Sequence, residues 1–150
     1  MFRSISCFVS LLFIAAILGC GPAGLRVEYV EGVVTLDGTP VAEATVTFLP
    51  TTETPPMEMA TGITDTDGVY KLSSVTGKAT AGAVAGEYRV AITKSTVNAQ
   101  PEVEYGAPRL PATYTHLLPA IYRDYQNSPL VVTVKKGTNK DMNFDLKSNP

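Results

Sequence analysis

The chain has 150 residues and a formal charge of −2, with twelve basic side chains against fourteen acidic ones, so it offers no basic excess for a nucleic-acid partner. A single histidine excludes a multi-histidine zinc site, two cysteines exclude a framework of several disulfides, and the lack of tryptophan excludes a sugar platform built on indole. Eleven prolines and twelve glycines, with no sustained helical period, point to strands and turns.

Residues 1–19 have the three parts of an export leader. Arg3 is the positive charge, no acid precedes Glu28, and an apolar stretch over 7–18, broken by Ser10, ends in small residues. That stretch is shorter than the ~20 apolar residues of a membrane-spanning helix, which makes a spanning anchor the weaker reading. Ile17-Leu18-Gly19-Cys20 resembles the bacterial lipobox, with Ile for the commoner Leu at its start and Leu18 where a small residue is usual. The resemblance implies cleavage before Cys20, a thioether-linked diacylglycerol on its sulfur and an acylated α-amine. Each buried methylene is worth ~0.8 kcal/mol, and two or more chains hold where one is marginal. The partner so implied is a membrane, and the location a cell envelope. Gly21, not an acid, favours the outer membrane, on its periplasmic side or at the cell surface, where the source has two membranes. A plain secretory signal cut near Gly19 or Gly21 is the rival. Cys7 leaves with the leader, and Cys20 then has no partner for an internal disulfide. Gly21, Pro22, Ala23 and Gly24 read as part of a tether over 20–26. The domain beyond must be held by its core alone.

From residue 27 onward short alternating runs are separated by turn residues. Val30, Gly32, Val34 and Leu36 share one face of a first strand that ends at Asp37-Gly38. Ala44, Val46 and Phe48 share a face of the second, with Thr45 and Thr47 opposite, and residues 50–56 form a loop. A third strand covers about 58–64, and Asp67-Gly68 turns it into a fourth over 69–74; residues 77–82 form a further loop. The clearest alternation puts Tyr88, Val90 and Ile92 inward and Arg89, Ala91 and Thr93 outward. Leu130, Val132 and Val134, then Met142, Phe144 and Leu146, make the last two strands, joined by Lys136-Gly137-Thr138-Asn139. Seven strands in two packed sheets would bury these faces against each other.

Residues 95–128 break the rhythm with Pro101, Pro108, Pro111 and Pro119 and with Tyr105, Tyr114, Tyr122 and Tyr125. So long an interruption has three readings: a crossover between sheets with Tyr122 plugging an edge, a ligand- or partner-contacting loop, or disorder.

Several motifs in order resemble carboxypeptidase regulatory-like domains. Val30-Glu31-Gly32-Val33-Val34, then Gly38-Thr39-Pro40, then Ala44-Thr45-Val46 resemble that family's G-x-V, Gly-x-Pro turn and A-x-V. Thr64-Asp65-Thr66-Asp67-Gly68-Val69-Tyr70 resembles its T-D-x-D-G-x-Y hairpin, and Gly86-Glu87-Tyr88-Arg89-Val90 its G-x-Y-x-V strand. Leu118-Pro119-Ala120-Ile121-Tyr122, Ser128-Pro129-Leu130 and Asn143-Phe144-Asp145-Leu146 resemble a bacterial lipoprotein branch. The resemblance implies an all-β, seven-stranded Greek-key sandwich of transthyretin (prealbumin) type over residues 27–147. Its motifs are structural: Gly38 and Gly68 suit positive φ at tight turns, where Asp37 and Asp67 can bond the local backbone, and Tyr70 and Tyr88 supply large buried faces.

Sites are weighed against that frame. Asp65-Thr66-Asp67-Gly68 has the alternate carboxylates of a Ca²⁺ loop, but Thr76 stands where the closing Glu of an EF-hand belongs, so a hairpin turn is the better reading. Asn143 lies in the kind of strand that accepts a Lys–Asn crosslink, yet residues 27–38 contain no lysine. His116 sits in a polar loop, no G-x-S-x-G occurs, and Gly77, Gly82 and Gly86 lack the strand-to-helix setting of a phosphate loop. The expectation is therefore a non-catalytic envelope lipoprotein with no cofactor and no metal, a structural or interaction module contacting protein or glycan. The alternative is a carbohydrate or small-molecule binding module using Tyr105, Tyr114, Tyr122 and Tyr125 as stacking surfaces.

Overall fold

Phe48 stands where two sheets meet. Its ring centre lies 5.7 Å from that of Tyr88, 6.3 Å from Tyr70 and 6.1 Å from Phe144, and Tyr70 stacks on Phe144 at 6.1 Å. The computed structural model describes residues 26–52, 58–74, 82–98 and 113–150. In chain order its elements are β1 (Val27–Glu28), β2 (Glu31–Leu36), β3 (Thr39–Pro40), β4 (Thr45–Pro50), β5 (Ala60–Ile63), β6 (Val69–Lys71), β7 (Ser73–Ser74), β8 (Ala83–Val84), β9 (Gly86–Thr93), β10 (Ser95–Val97), β11 (Tyr114–His116), helix α1 (Ala120–Arg123), β12 (Val131–Val134) and β13 (Phe144–Leu146). The architecture is all-β, with two main sheets over one core.

The larger sheet runs β12-β9-β4-β5-β7, and the second is centred on β2, flanked by β13 on one side and by β3 and β6 on the other. Tyr88, Val90 and Ile92 face the core from β9 beside Val46 and Phe48 of β4, while Val30, Val34, Phe144 and Leu146 close it from the second sheet. Every residue expected to point inward along these strands is packed there, because period-two alternation leaves one face apolar and burial removes it from water.

The structure divides, pairs and buries the expected strands in ways that alternation alone did not specify. The run 69–74 is two strands: β6 pairs with β2, then β7 pairs with β5 in the other sheet. The switch occurs at buried Leu72, whose N–H donates to the Val30 carbonyl. Strands β12 and β13 lie in different sheets, and β13 pairs with β2 in parallel, Phe144 opposite Val34. Pro50 continues β4 instead of opening the loop, which a proline tolerates at a strand end. Thr47 and Ala91, expected outward, are buried and are direct cross-strand partners. Both are small and sit on strands that are paired on both sides in the larger sheet.

Of the 95–128 segment, the described residues are 95–98 and 113–128. Strands β10 and β11 form an antiparallel hairpin, Ser95 opposite His116, and a single helical turn, α1, follows Pro119. Tyr122 on that turn is buried in the core, but the segment is not a crossover between sheets: it leads from β9 to β12, antiparallel neighbours in the larger sheet.

Candidate functional site

The turn with two carboxylates is built by Asp65. Its Oδ1 accepts from the backbone N–H of Asp67 at 3.0 Å and of Val69 at 2.9 Å, and its carbonyl accepts from Gly68 N at 3.0 Å. The side chain that closes the hairpin is therefore Asp65, two positions before the expected Asp67, because only from there does a short carboxylate reach N–H groups two and four residues ahead. Gly68 has φ +75°, as the turn requires. Asp37 and Gly38, both at positive φ, make the left-handed pair of a tight hairpin, and Asp37 Oδ1 accepts from Ser148 N at 3.3 Å. Among the described residues no cluster of three or more His, Cys, Asp or Glu side chains is placed to hold a metal ion. Asn143 Oδ1 accepts from Val33 N at 2.8 Å, so its carboxamide substitutes for a ladder carbonyl between β2 and β13.

The tyrosines are dispersed. Tyr122 is 5 % exposed, and its hydroxyl accepts from Lys147 N at 3.0 Å, tying α1 to the end of β13. Tyr114 is exposed on the β10–β11 hairpin opposite Val97. Tyr125, half exposed, lines an open groove of about 610 Å³ with Ala120, Arg123, Asp124 and Gln126. The Arg89 guanidinium holds the base of that turn, donating to the carbonyls of Gln126 at 2.8 Å and Ser128 at 3.3 Å. Asp124 accepts from Asn127 Nδ2 and from two backbone N–H groups. These bonds, the Asn127 side chain first, hold its carboxyl below the usual aspartate range. His116 is exposed at the foot of the hairpin. Cys20 and Tyr105 lie outside the described residues.

A third place was not legible as a site. The loop 135–140, expected only as a connection, is bonded to the start of the domain. Gly137 N donates to Glu28 Oε2 at 2.7 Å, Asn139 N donates to the Tyr29 carbonyl at 2.9 Å, and Glu31 N donates to the Asn139 carbonyl at 2.8 Å. Asn139 also folds the loop on itself: its Oδ1 accepts from Lys135 N at 2.9 Å and its Nδ2 donates to the Lys135 carbonyl at 2.8 Å. Lys135, Lys136 and Lys140 are exposed around it, and Arg26 is exposed beside β1. Beside the loop Tyr29 donates a short hydrogen bond to Glu31, and Lys71 lies 3.5 Å from the same carboxylate. The Tyr29 bond, with Lys71, holds the Glu31 carboxyl below its ordinary range, and the same bond to Glu31 pushes the Tyr29 phenol up. The signal in the sequence was the three lysines in six residues, but nothing local said that they fold onto residues a hundred positions earlier.

No family model, curated protein or solved structure matches the chain. No helix among the described residues is long and apolar enough to cross a membrane.

Proposed function

We propose that this chain is a non-catalytic envelope lipoprotein, cut before Cys20 and acylated there, whose domain over 27–147 is a transthyretin-type Greek-key sandwich serving as a structural or interaction module. The observation that supports the reading is where the motif residues spend their polar groups. Asp65 closes a turn, Tyr70 Oη donates to the Met142 carbonyl at 2.7 Å, and Tyr88 Oη donates to the Val84 carbonyl at 2.8 Å. Groups committed to the scaffold in this way are not available to a substrate. The N-terminal leader with Gly19-Cys20 supplies the address. Expression in a bacterial host fed radiolabelled palmitate tests it: label enters the wild-type chain and is lost in Cys20→Ala. An unlabelled wild-type product starting elsewhere than residue 20 overturns the reading.

The groove beside Tyr125 favours a second reading, a weak carbohydrate or small-molecule site on the turn after α1. A sugar-dependent rise in melting temperature that Tyr125→Ala abolishes supports it, and no rise with any sugar removes it.

A further inference from the structure

We infer that the 135–140 loop and Arg26 form a membrane-facing surface that docks the anchored domain on anionic phospholipid headgroups. The inference rests on the acylation of Cys20 proposed above and adds to it an orientation.

Two observations lead there. The first is the short stretch of chain between Cys20 and β1. Arg26 is six residues beyond Cys20, so however the intervening residues run, its Cα lies within about 22 Å of the anchor. Arg26 enters β1, and Glu28, Tyr29 and Glu31 hold the 135–140 loop by direct hydrogen bonds of 2.7–2.9 Å. The lysines of that loop are therefore fixed at the anchored end of the domain. Asn139, 9 % exposed, is the pin.

The second is the distribution of charge along β2. At its start, Lys71 is answered by Glu31, and exposed Arg26, Lys135, Lys136 and Lys140 balance the acids Glu28, Glu58, Glu87 and Asp141, with three of those four cations gathered in the one loop. Beyond its other end, about 20 Å away at the rise of a strand, Asp37, Glu43, Asp65, Asp67 and Asp145 outnumber Lys94 and Lys147. The chain as a whole is acidic, yet its anchored end carries no acidic excess and presents the lysine loop. An anionic surface attracts that loop and repels the far end, which sets the domain upright. Each lysine brought to such a surface shifts the docked-to-undocked ratio by about fivefold, and tethering by the acyl chains supplies the local concentration that makes so small a patch effective.

The test uses the acylated mature chain in vesicles of phosphatidylcholine, alone or with one part phosphatidylglycerol to two. Because the Cys20 sulfur is in its thioether, a thiol introduced by Thr138→Cys, in the basic loop, or by Thr66→Cys, at the far end, takes a fluorescent label selectively. Quenching by acrylamide, which is neutral, reads the exposure of each label. On anionic vesicles at low salt the label at 138 becomes at least about threefold less accessible and the label at 66 does not change. High salt restores accessibility, because it shortens the screening length to about 3 Å at 1 M, and so does K135E/K136E/K140E, whose melting temperature and co-flotation with vesicles stay those of the wild type. Equal accessibility of the 138 label on both lipids overturns the docking, as does shielding that survives the charge reversal. Either result leaves co-flotation intact and so leaves the anchor standing. A wild-type chain that fails to float with vesicles overturns the anchor and the docking together.

Discussion

Gly32 faces the core from the middle of β2, where every other inward position carries a large apolar side chain. A Cβ there would run into the Met142 carbonyl and press on the Tyr70 ring. The missing side chain lets Met142 approach closely enough for its carbonyl to accept from the Tyr70 hydroxyl at 2.7 Å. Gly32→Ala is therefore expected to destabilise by about 1–3 kcal/mol, the usual cost of overpacking a tight core, and thermal melts of the two proteins read it directly. An unchanged melting temperature would show that β2 and the 142 segment separate at no cost. The same buried phenols make the fold sensitive to alkali. Burial pushes Tyr88 up to about 12 and Tyr70 further still, against about 10 in an unfolded chain. A raised folded-state value keeps its stabilisation below the unfolded value and loses it as pH rises toward the folded one. Denaturant midpoints are thus expected to hold flat to about pH 10 and to fall between about 10 and 12, and Y70F/Y88F should flatten that fall. A variant that falls as steeply as the wild type assigns the loss to other groups.

Hairpins show what a local sequence can and cannot specify. Asp65→Ala removes the acceptor of two backbone N–H groups and is expected to cost about 1–2 kcal/mol, at the lower end for an exposed charged acceptor, whereas Asp67→Ala should cost clearly less. Urea melts of the two variants compare them, and equal losses would return the turn to the residue next to Gly68. The T-D-x-D-G pattern was legible as a turn because the glycine's positive φ is a local demand, but which carboxylate closes it depends on reach. The strands were legible for a similar reason: alternation in Tyr88-Arg89-Val90-Ala91-Ile92 is set within one strand, and the core took its inward residues as expected. Partners were not legible. Leu72 carries the chain from one sheet to the other, and β13 lies parallel to β2 rather than against β12. Pairing is decided by the whole core, and no period within six residues encodes it. Thr47 and Ala91 were misplaced for the same reason, since exposure on a sheet depends on the strands either side.

The two sheets are closed at opposite ends by single polar side chains. At one end Tyr122 joins α1 to Lys147, and at the other Asn139 joins the loop after β12 to the segment between β1 and β2. That second junction also presents the lysine loop at the end we propose is anchored, so in that proposal fold stability and membrane orientation meet in one residue. The site was not legible because its members, Glu28, Tyr29 and Asn139, stand about as far apart in sequence as the domain allows, and each alone is an ordinary polar residue. Asn139→Ala leaves the Lys135 N–H and the carbonyls of Tyr29, Lys135 and Gly137 without their carboxamide partner and is expected to cost about 2–3 kcal/mol. Asn139→Asp is the more telling variant. Its carboxylate can still accept from Lys135 N, but where the amide nitrogen donated it now sets an oxygen against the carbonyls of Tyr29 and Lys135. At pH 7 the aspartate should therefore be at least as destabilised as the alanine variant. It should recover on acidification, as a protonated carboxyl regains a donor, over a range where the depressed carboxyls of Asp124 and Asp145 still hold their charge. Melting temperatures of both variants between pH 4 and 7 decide the point. An aspartate variant as stable as the wild type across that range would mean that the backbone bonds of 29, 31 and 139 alone fasten the loop, and the lysines would then keep their place without the pin.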